Sequence, residues 1–312
     1  MLTIFALPKP FRGHTGLIQT NAIQIWTQLR PSCKIILFGD EEGTAEVAAK
    51  FGIKYVPDVE RNEYGTPLVN SLFSTAQNLA KHNFVCYVNA DIILMSDFVK
   101  AIHQVQEQSS LIVGRRWDLD LKEPLDFSNP DWESQLHARL AKEGSLHGLG
   151  GIDYFLFPRG TYQDIPPFAI GRTAWDNWLI YQARALGLPV IDATKAVTIV
   201  HQNHDYGRFQ TEGNKSGQGE RKGTEGMRNR ELLGGECYAF SLLDATYCLT
   251  PTGLKSTMTM SVRYLAHRIL RLPEMHPHWI PLMQIIKGLR LIVFRTAALR
   301  RRMLKHDLKQ RG

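Results

Sequence analysis

NFVCYVNADIIL, residues 83–94, decides how the chain is read. Its first half is a continuous apolar and aromatic run, and it closes on Asn89, Ala90 and Asp91. A strand without polar alternation belongs in a parallel sheet covered on both faces. A period of two along such a strand puts Asn89 and Asp91 on the same side, at its carboxyl end. That end is where open α/β sheets bind their ligands. A carboxylate there suits a hard divalent cation, Mn²⁺ or Mg²⁺, and a carboxamide suits a ribose hydroxyl. An aspartate that only caps the following turn carries the same local signature.

Upstream of this stretch, strand and helix signals alternate. Strands are expected at residues 3–8, 33–39 and 53–58, and helices at 14–29, 44–51 and 71–81. The alternation predicts an α/β domain with a mostly parallel, Rossmann-like sheet and helices on both faces. No GxGxxG follows the first strand, which excludes the dinucleotide fingerprint of a dehydrogenase. Three segments adjoin the carboxyl ends. Pro8 and Lys9 follow the first strand, Asp40 follows the second, and Gly65, Thr66 and Asn70 lead into the helix before residue 83. All suit a nucleotide pocket, and all suit ordinary turns and caps. Downstream, residues 111–121 and 150–160 read as strands, 130–143 and 173–186 as helices, and 188–204 as one or two strands. Residues 205–235, rich in Gly, Arg, Lys and Glu, read as a mobile loop.

The order of NAD, then GGIDYFLFPRG, then AWDNW, then VTIVHQNH resembles the GT-A glycosyltransferases, both family-2-like and glycogenin-like members. The resemblance spans about residues 1–236. It implies that Asn89-Ala90-Asp91 is the metal- and nucleotide-binding motif, with Asn in place of its first acid, which leaves the metal to Asp91. It implies His201 or His204 as the late metal ligand, Asp176 as the acid facing the acceptor, and Asp153 on the acceptor side. Trp175 and Trp178 then become acceptor-stacking residues, and Trp-lined surroundings raise the pKa of Asp176 toward that of a working base. The implied activity is metal-assisted transfer of a sugar from a nucleotide-sugar donor, a UDP-sugar by expectation, to a hydroxyl. A base at Asp176 suggests inversion, while the glycogenin-like order suggests retention. Two alternatives stay open. A sugar-phosphate nucleotidyltransferase would use a related sheet, but ALPKPFRG after the first strand has a single glycine. A non-catalytic membrane-surface binding protein could carry the same fold.

The net charge of +7 is concentrated at the end of the chain. Residues 281–312 hold nine Lys or Arg and one acid, so the preceding part is nearly neutral, and nucleic acid is not expected as a partner. Leu282, Ile285, Ile286, Leu289, Ile292 and Val293 share a helical face opposite the basic residues. Residues 237–312 are therefore expected to form a helical extension ending in a basic amphipathic tail, which suits a membrane surface and a lipid-linked or membrane-proximal acceptor. The four cysteines form no CxxC pair and read as free thiols. With no leader-like start and no long apolar run, the chain is expected in the cytoplasm, peripheral on the membrane.

Overall fold

Leu2–Ala6 forms β1, and all five residues are buried. Then come α1 (Gly13–Gln28), β2 (Lys34–Phe38), α2 (Thr44–Phe51), β3 (Lys54–Val56), α3 (Val69–Leu79) and β4 (Phe84–Val88). β1 pairs in parallel with β2 and β4, and β2 with β3. Side chains alternate across this sheet. Ile4, Ala6, Cys86 and Val88 share a core with Ala22, Ile23 and Trp26 of α1, whereas Phe5, Val85 and Tyr87 pack with Leu72, Phe73 and Ala76 of α3. The continuous apolar strands thus bury both faces under helices, as their composition predicts.

The computed structural model describes residues 2–105, 109–204, 223–235 and 238–257. Beyond β4 these comprise β5 (Ile92–Leu94), α4 (Ser96–Val105), β6 (Leu111–Val113), β7 (Trp117–Leu119), α5 (Trp132–Glu143), β8 (Ser145–Leu146), β9 (Tyr154–Pro158) and α6 (Trp175–Ala185). β10 (Val190–Asp192), β11 (Ile199–Gln202), α7 (Thr224–Leu233), β12 (Tyr247–Thr250) and β13 (Gly253–Ser256) follow. Among the described residues, the main sheet has nine strands in the order β13-β12-β10-β6-β9-β4-β1-β2-β3, with β9 and β13 antiparallel to their neighbours. A second sheet of four strands has the order β5-β11-β7-β8.

Two long strands expected from sequence are each divided between the sheets. Residues 83–94 leave the main sheet after Val88, turn through an Ile92 N–H to Asn89 carbonyl bond of 3.1 Å, and resume as β5. Residues 111–121 break at Gly114, where a Cβ would sit 2.7 Å from the Tyr154 hydroxyl, and resume as β7. The apolar run is continuous through the first break, so periodicity alone does not show it. Helix α4 is an addition to the expected elements. It opens on Ser96 with Asp97 in its first turn, a charge favoured by the helix dipole, and buries Phe98, Val99, Ala101 and Val105.

The expected loop over residues 205–235 contains α7. Gly226, Asn229 and Leu233 form its buried seam, too narrow and too polar to register as an apolar stripe. Its attachment is by hydrogen bonds instead. The buried Asn229 side chain accepts from Ala169 N–H at 2.9 Å, and its amide donates to the carbonyls of Ala169 (2.9 Å) and Thr173 (3.1 Å). Arg172 pairs with Glu225, which also accepts from Asn62 at 2.8 Å. The boundary expected at residue 236 is likewise corrected, because β12 pairs with β10 in the main sheet and β13 with β12. Arg208, Lys215, Arg221 and Lys222, which suit a phosphate-covering loop, lie outside the described residues, as does the basic tail over 281–312. Among the described residues, no helix is long and apolar enough to cross a membrane.

Replacing Asn229 removes three bonds and leaves the buried Ala169 N–H without its acceptor. Asn229→Ala is expected to lower unfolding free energy by about 2–3 kcal/mol. In urea the midpoint should fall with an unchanged slope.

Candidate metal centre and active site

Asp91 occupies the turn where the chain passes from β4 to β5, at the carboxyl edge of the main sheet. Gln202, wholly buried, fixes this turn. Its amide donates to the carbonyls of Asp91 (3.0 Å) and Ile18 (2.7 Å), while its oxygen accepts from Asn21 at 2.9 Å. β11 runs antiparallel to β5 and brings the late histidines over the turn. His204 Nε2 lies 3.0 Å and His201 Nε2 3.7 Å from Asp91 Oδ2. The candidate ligand atoms of Asp91, His201 and His204 all fall within 4.8 Å of one another. Burial pushes the Asp91 carboxyl up, but the hydrogen bond from His204 and the charges of His201, Lys9 and His204 outweigh it, holding the group well below the usual carboxylate range. Burial also lowers the His201 pKa, against the opposing pull of Asp91, so its imidazole is neutral at neutral pH.

These residues fit a divalent cation. Asp91 Oδ1 is buried and has no hydrogen-bond partner among the described residues. An orphaned carboxylate oxygen is costly unless something binds it. Two imidazoles beside it form a mixed oxygen and nitrogen set that suits Mn²⁺ among the divalent ions. Three protein ligands leave positions for water or phosphate oxygens.

The Asn89 side chain is engaged by Tyr87 and Asp153. Because β4 ends at Val88, the period of two stops before Asp91. The Asn89 carboxamide accepts from the Tyr87 hydroxyl at 2.8 Å and donates to Asp153 Oδ1 at 2.5 Å. Asp153 sits at the start of β9, where the Asn89 N–H also bonds its carbonyl at 3.0 Å. Its other oxygen accepts from Arg116 at 2.9 Å, and Arg116 also donates to Asp118 at 2.9 Å. Both oxygens of Asp153 are held by protein groups, so the carboxylate braces Asn89 and Arg116 rather than standing free toward an acceptor.

Asp176, in the first turn of α6, is half-buried. Burial raises its pKa to about 6; the Asp153 charge adds to the rise, while the backbone N–H groups of Asn177, Asp176 and Ala174 oppose it. Ala174, immediately before the helix, has φ of 89° and is the one non-glycine residue with positive φ among those described. Such backbone is costly for an L-residue and is held in place by its surroundings, here the Asn229 bonds to the segment preceding α6. The two flanking indoles do not serve as sugar platforms. Trp175 packs within 5.4–6.3 Å of the rings of Tyr87, Phe155 and Phe73, and Trp178 lies 5.8 Å from Phe168; both are 8% exposed. Their faces are spent in the core.

The remaining expected residues form two groups. Pro8 and Ala90 are buried, and Lys9 is exposed on a loop held by Gln19, whose side chain bonds the Lys9 N–H (2.7 Å) and carbonyl (2.8 Å). The charge of Lys9 reaches Asp91, so this loop borders the metal cluster. Asp40, Gly65 and Thr66 gather elsewhere around Arg61. Arg61 pairs with Asp40 at 2.5 Å and donates to the Gly65 carbonyl at 2.9 Å, and Asn62 accepts from Thr66 N–H at 2.9 Å. Asp40 is thereby engaged in an ion pair at the rim. Asn70 lies in the first turn of α3 with its Oδ1 buried and without a hydrogen-bond partner among the described residues. Arg116, Asp118, His147 and Gln202 are additions to the predicted set. Arg116 and Asp118 sit two apart near β7, a same-face signal present in the sequence. The pairing of Asp118 with His201 depends on the fold.

No family model and no curated protein matches the chain. Its path is similar to that of several solved sugar-nucleotide transferases. One is a mannosyltransferase from Pyrobaculum calidifontis in complex with GDP-Man and Mn²⁺, at 14% identity and TM-score 0.42, over 66% of this chain and 58% of that one. Another is glucosyl-3-phosphoglycerate synthase from Mycobacterium tuberculosis in complex with Mn²⁺, UDP and glucosyl-3-phosphoglycerate, at 14% identity and TM-score 0.43, over 75% of this chain and 80% of that one. At these identities the likeness is one of chain path, and the functional reading rests on the geometry of the site.

Carboxyl ¹³C NMR should find Asp176 titrating near pH 6. Removing the neighbouring charge with Asp153→Asn should move that midpoint down, since less repulsion opposes ionisation. A midpoint in the ordinary carboxylate range in the unmodified protein would contradict the environment described for Asp176.

Proposed function

We propose that the chain is a metal-dependent glycosyltransferase that moves a sugar from a nucleotide-sugar donor, a UDP-sugar, to a hydroxyl acceptor. The observation that carries this reading is the Asp91, His201 and His204 cluster at the carboxyl edge of the sheet, on the side where α/β sheets receive nucleotides. A bound Mn²⁺ or Mg²⁺ would neutralise the charge that develops on the leaving diphosphate. Asp91, His201 and His204 would hold that ion, with the positive charge of Lys9 beside them.

Asp176 supplies the acid–base group. A carboxylate with pKa near 6 is ionised at neutral pH and more basic than an ordinary aspartate, so it can take the proton of an acceptor hydroxyl as that oxygen attacks the sugar. Attack assisted by a base opposite the leaving group favours inversion at the anomeric carbon. Asn70 would lie on the nucleoside side of the donor, and Arg61 holds the rim turns that carry Asp40 and Gly65. The sequence of residues 281–312 supports an acceptor that is lipid-linked or close to a membrane.

Calorimetric titration of UDP should show binding that requires Mn²⁺ and is abolished by Asp91→Ala. Absence of binding by UDP and GDP alike would overturn the donor-site assignment. Asp176→Asn should keep nucleotide binding, lower kcat by about 10²- to 10⁴-fold, and remove the rise of activity with pH through about 6. Removing residues 281–312 should reduce sedimentation with anionic vesicles; full activity and undiminished vesicle binding would sink the membrane assignment.

A further inference from the structure

Glu225 lies four residues before Asn229 on α7, on the same face of the helix. Its carboxylate joins two segments that belong to different parts of the site. Oε1 accepts from the Asn62 amide at 2.8 Å, and Oε2 accepts from Arg172 Nε at 2.9 Å. The side chains of Glu225 and Arg172 are 12% and 19% exposed, so the pair is largely shielded from water. Burial pushes the Glu225 carboxyl up, but the polar groups of Asn62, Thr66 and Arg172 outweigh it and hold the group below its ordinary range. The carboxylate is therefore ionised at neutral pH, and hydrogen bonds to an ionised acceptor are stronger than neutral ones.

The first segment is the rim turn over residues 61–66. Asn62 shapes it: its side-chain oxygen accepts from the N–H groups of Tyr64 (3.0 Å) and Thr66 (2.9 Å), and its own N–H donates to the Thr66 carbonyl at 2.9 Å. The oxygen of the carboxamide is used inside the turn, and its amide is given to Glu225. The second segment, 171–174, leads from Arg172 through Ala174, with its positive φ, to Asp176 in the first turn of α6. Nearer the core the two chains are joined by backbone. Val69 N–H donates to the Phe168 carbonyl at 2.9 Å, and Ile170 N–H to the Pro67 carbonyl at 3.0 Å. Glu225 spans the chains beyond these bonds.

We propose that Glu225 is a positioning residue that holds the nucleoside-side rim turn and the start of α6, with Asp176, in fixed relation to each other. It acts through Asn62 and Arg172. The proposal rests on the reading of that rim as part of the donor site and of Asp176 as the acid–base group.

Two measurements on the full-length chain test it. Carboxyl ¹³C NMR of Glu225→Ala should find the Asp176 midpoint lowered from about 6 toward the ordinary carboxylate range, because release of residues 171–174 lets water reach the carboxyl. Calorimetry should find UDP with Mn²⁺ bound about 10-fold more weakly, since a rim turn that is competent only part of the time lowers apparent affinity in proportion. Glu225→Gln keeps an acceptor for Asn62 and loses the charge opposite Arg172, so it should show both changes in smaller measure. A folded Glu225→Ala protein with the Asp176 midpoint and UDP affinity of the unmodified chain overturns the positioning role and leaves the donor site standing. A change in one quantity without the other overturns the joint role as well. If Glu225→Ala does not fold, the same two measurements on Glu225→Gln decide. An unmodified chain that binds neither UDP nor GDP removes the donor reading, and the positioning role with it.

Discussion

The placement of β11 between β5 and β7 is the constraint on which the site depends. Three strands of the main sheet, β4, β6 and β10, give way at its carboxyl edge to continuations that pair again in the smaller sheet as β5, β7 and β11. Each crossing delivers a side chain to one place: Asp91 between β4 and β5, Asp118 on β7, His201 on β11. Residues 91, 118 and 201 are far apart in sequence, and hydrogen-bonded backbone sets their spacing. A one-residue slip of β11 would turn His201 to the opposite face of that sheet.

Charge alternates along the floor of the site. Asp153, Arg116, Asp118, then the histidines and Asp91 form a sequence of carboxylates separated by cationic or imidazole groups. Burying any one of them unpaired would be strongly unfavourable, whereas a linked set satisfies each member through its neighbours. The same linkage explains the role of Asn89. An aspartate there would put a second carboxylate 2.5 Å from Asp153 Oδ1, where the carboxamide now donates a hydrogen bond. The carboxamide of Asn89 is thus matched to the buried acid across the β4–β9 pairing.

The sheet and its helices were legible because they are written in local periodicity. Continuous apolar runs mark β1, β2 and β4, and the residues at their ends mark the binding edge. Asp91, His201 and His204 were legible by order, and the fold brings them together. What escaped is what depends on tertiary pairing. The break after Val88 has no signature in NFVCYVNADIIL, since apolar residues continue through it. Helix α7 is attached through Asn229, Arg172 and Glu225, and polar attachment leaves no apolar stripe. Trp175 and Trp178 look like sugar platforms beside Asp176, but an indole next to an acid in a first helical turn is equally a core residue, and here the packing with Tyr87 and Phe168 decides.

The orphaned Oδ1 of Asp91 has a thermodynamic meaning. A buried acceptor without a donor makes the folded state less favourable by about 1–3 kcal/mol, an expense the unfolded chain avoids in water. A ligand that satisfies the atom only in the folded state returns that energy, so its affinity and the domain's stability are two readings of one linkage. In such a protein the cation belongs to the folding equilibrium as much as to the chemistry. Depletion of a cation bound there would lower the stability of the domain.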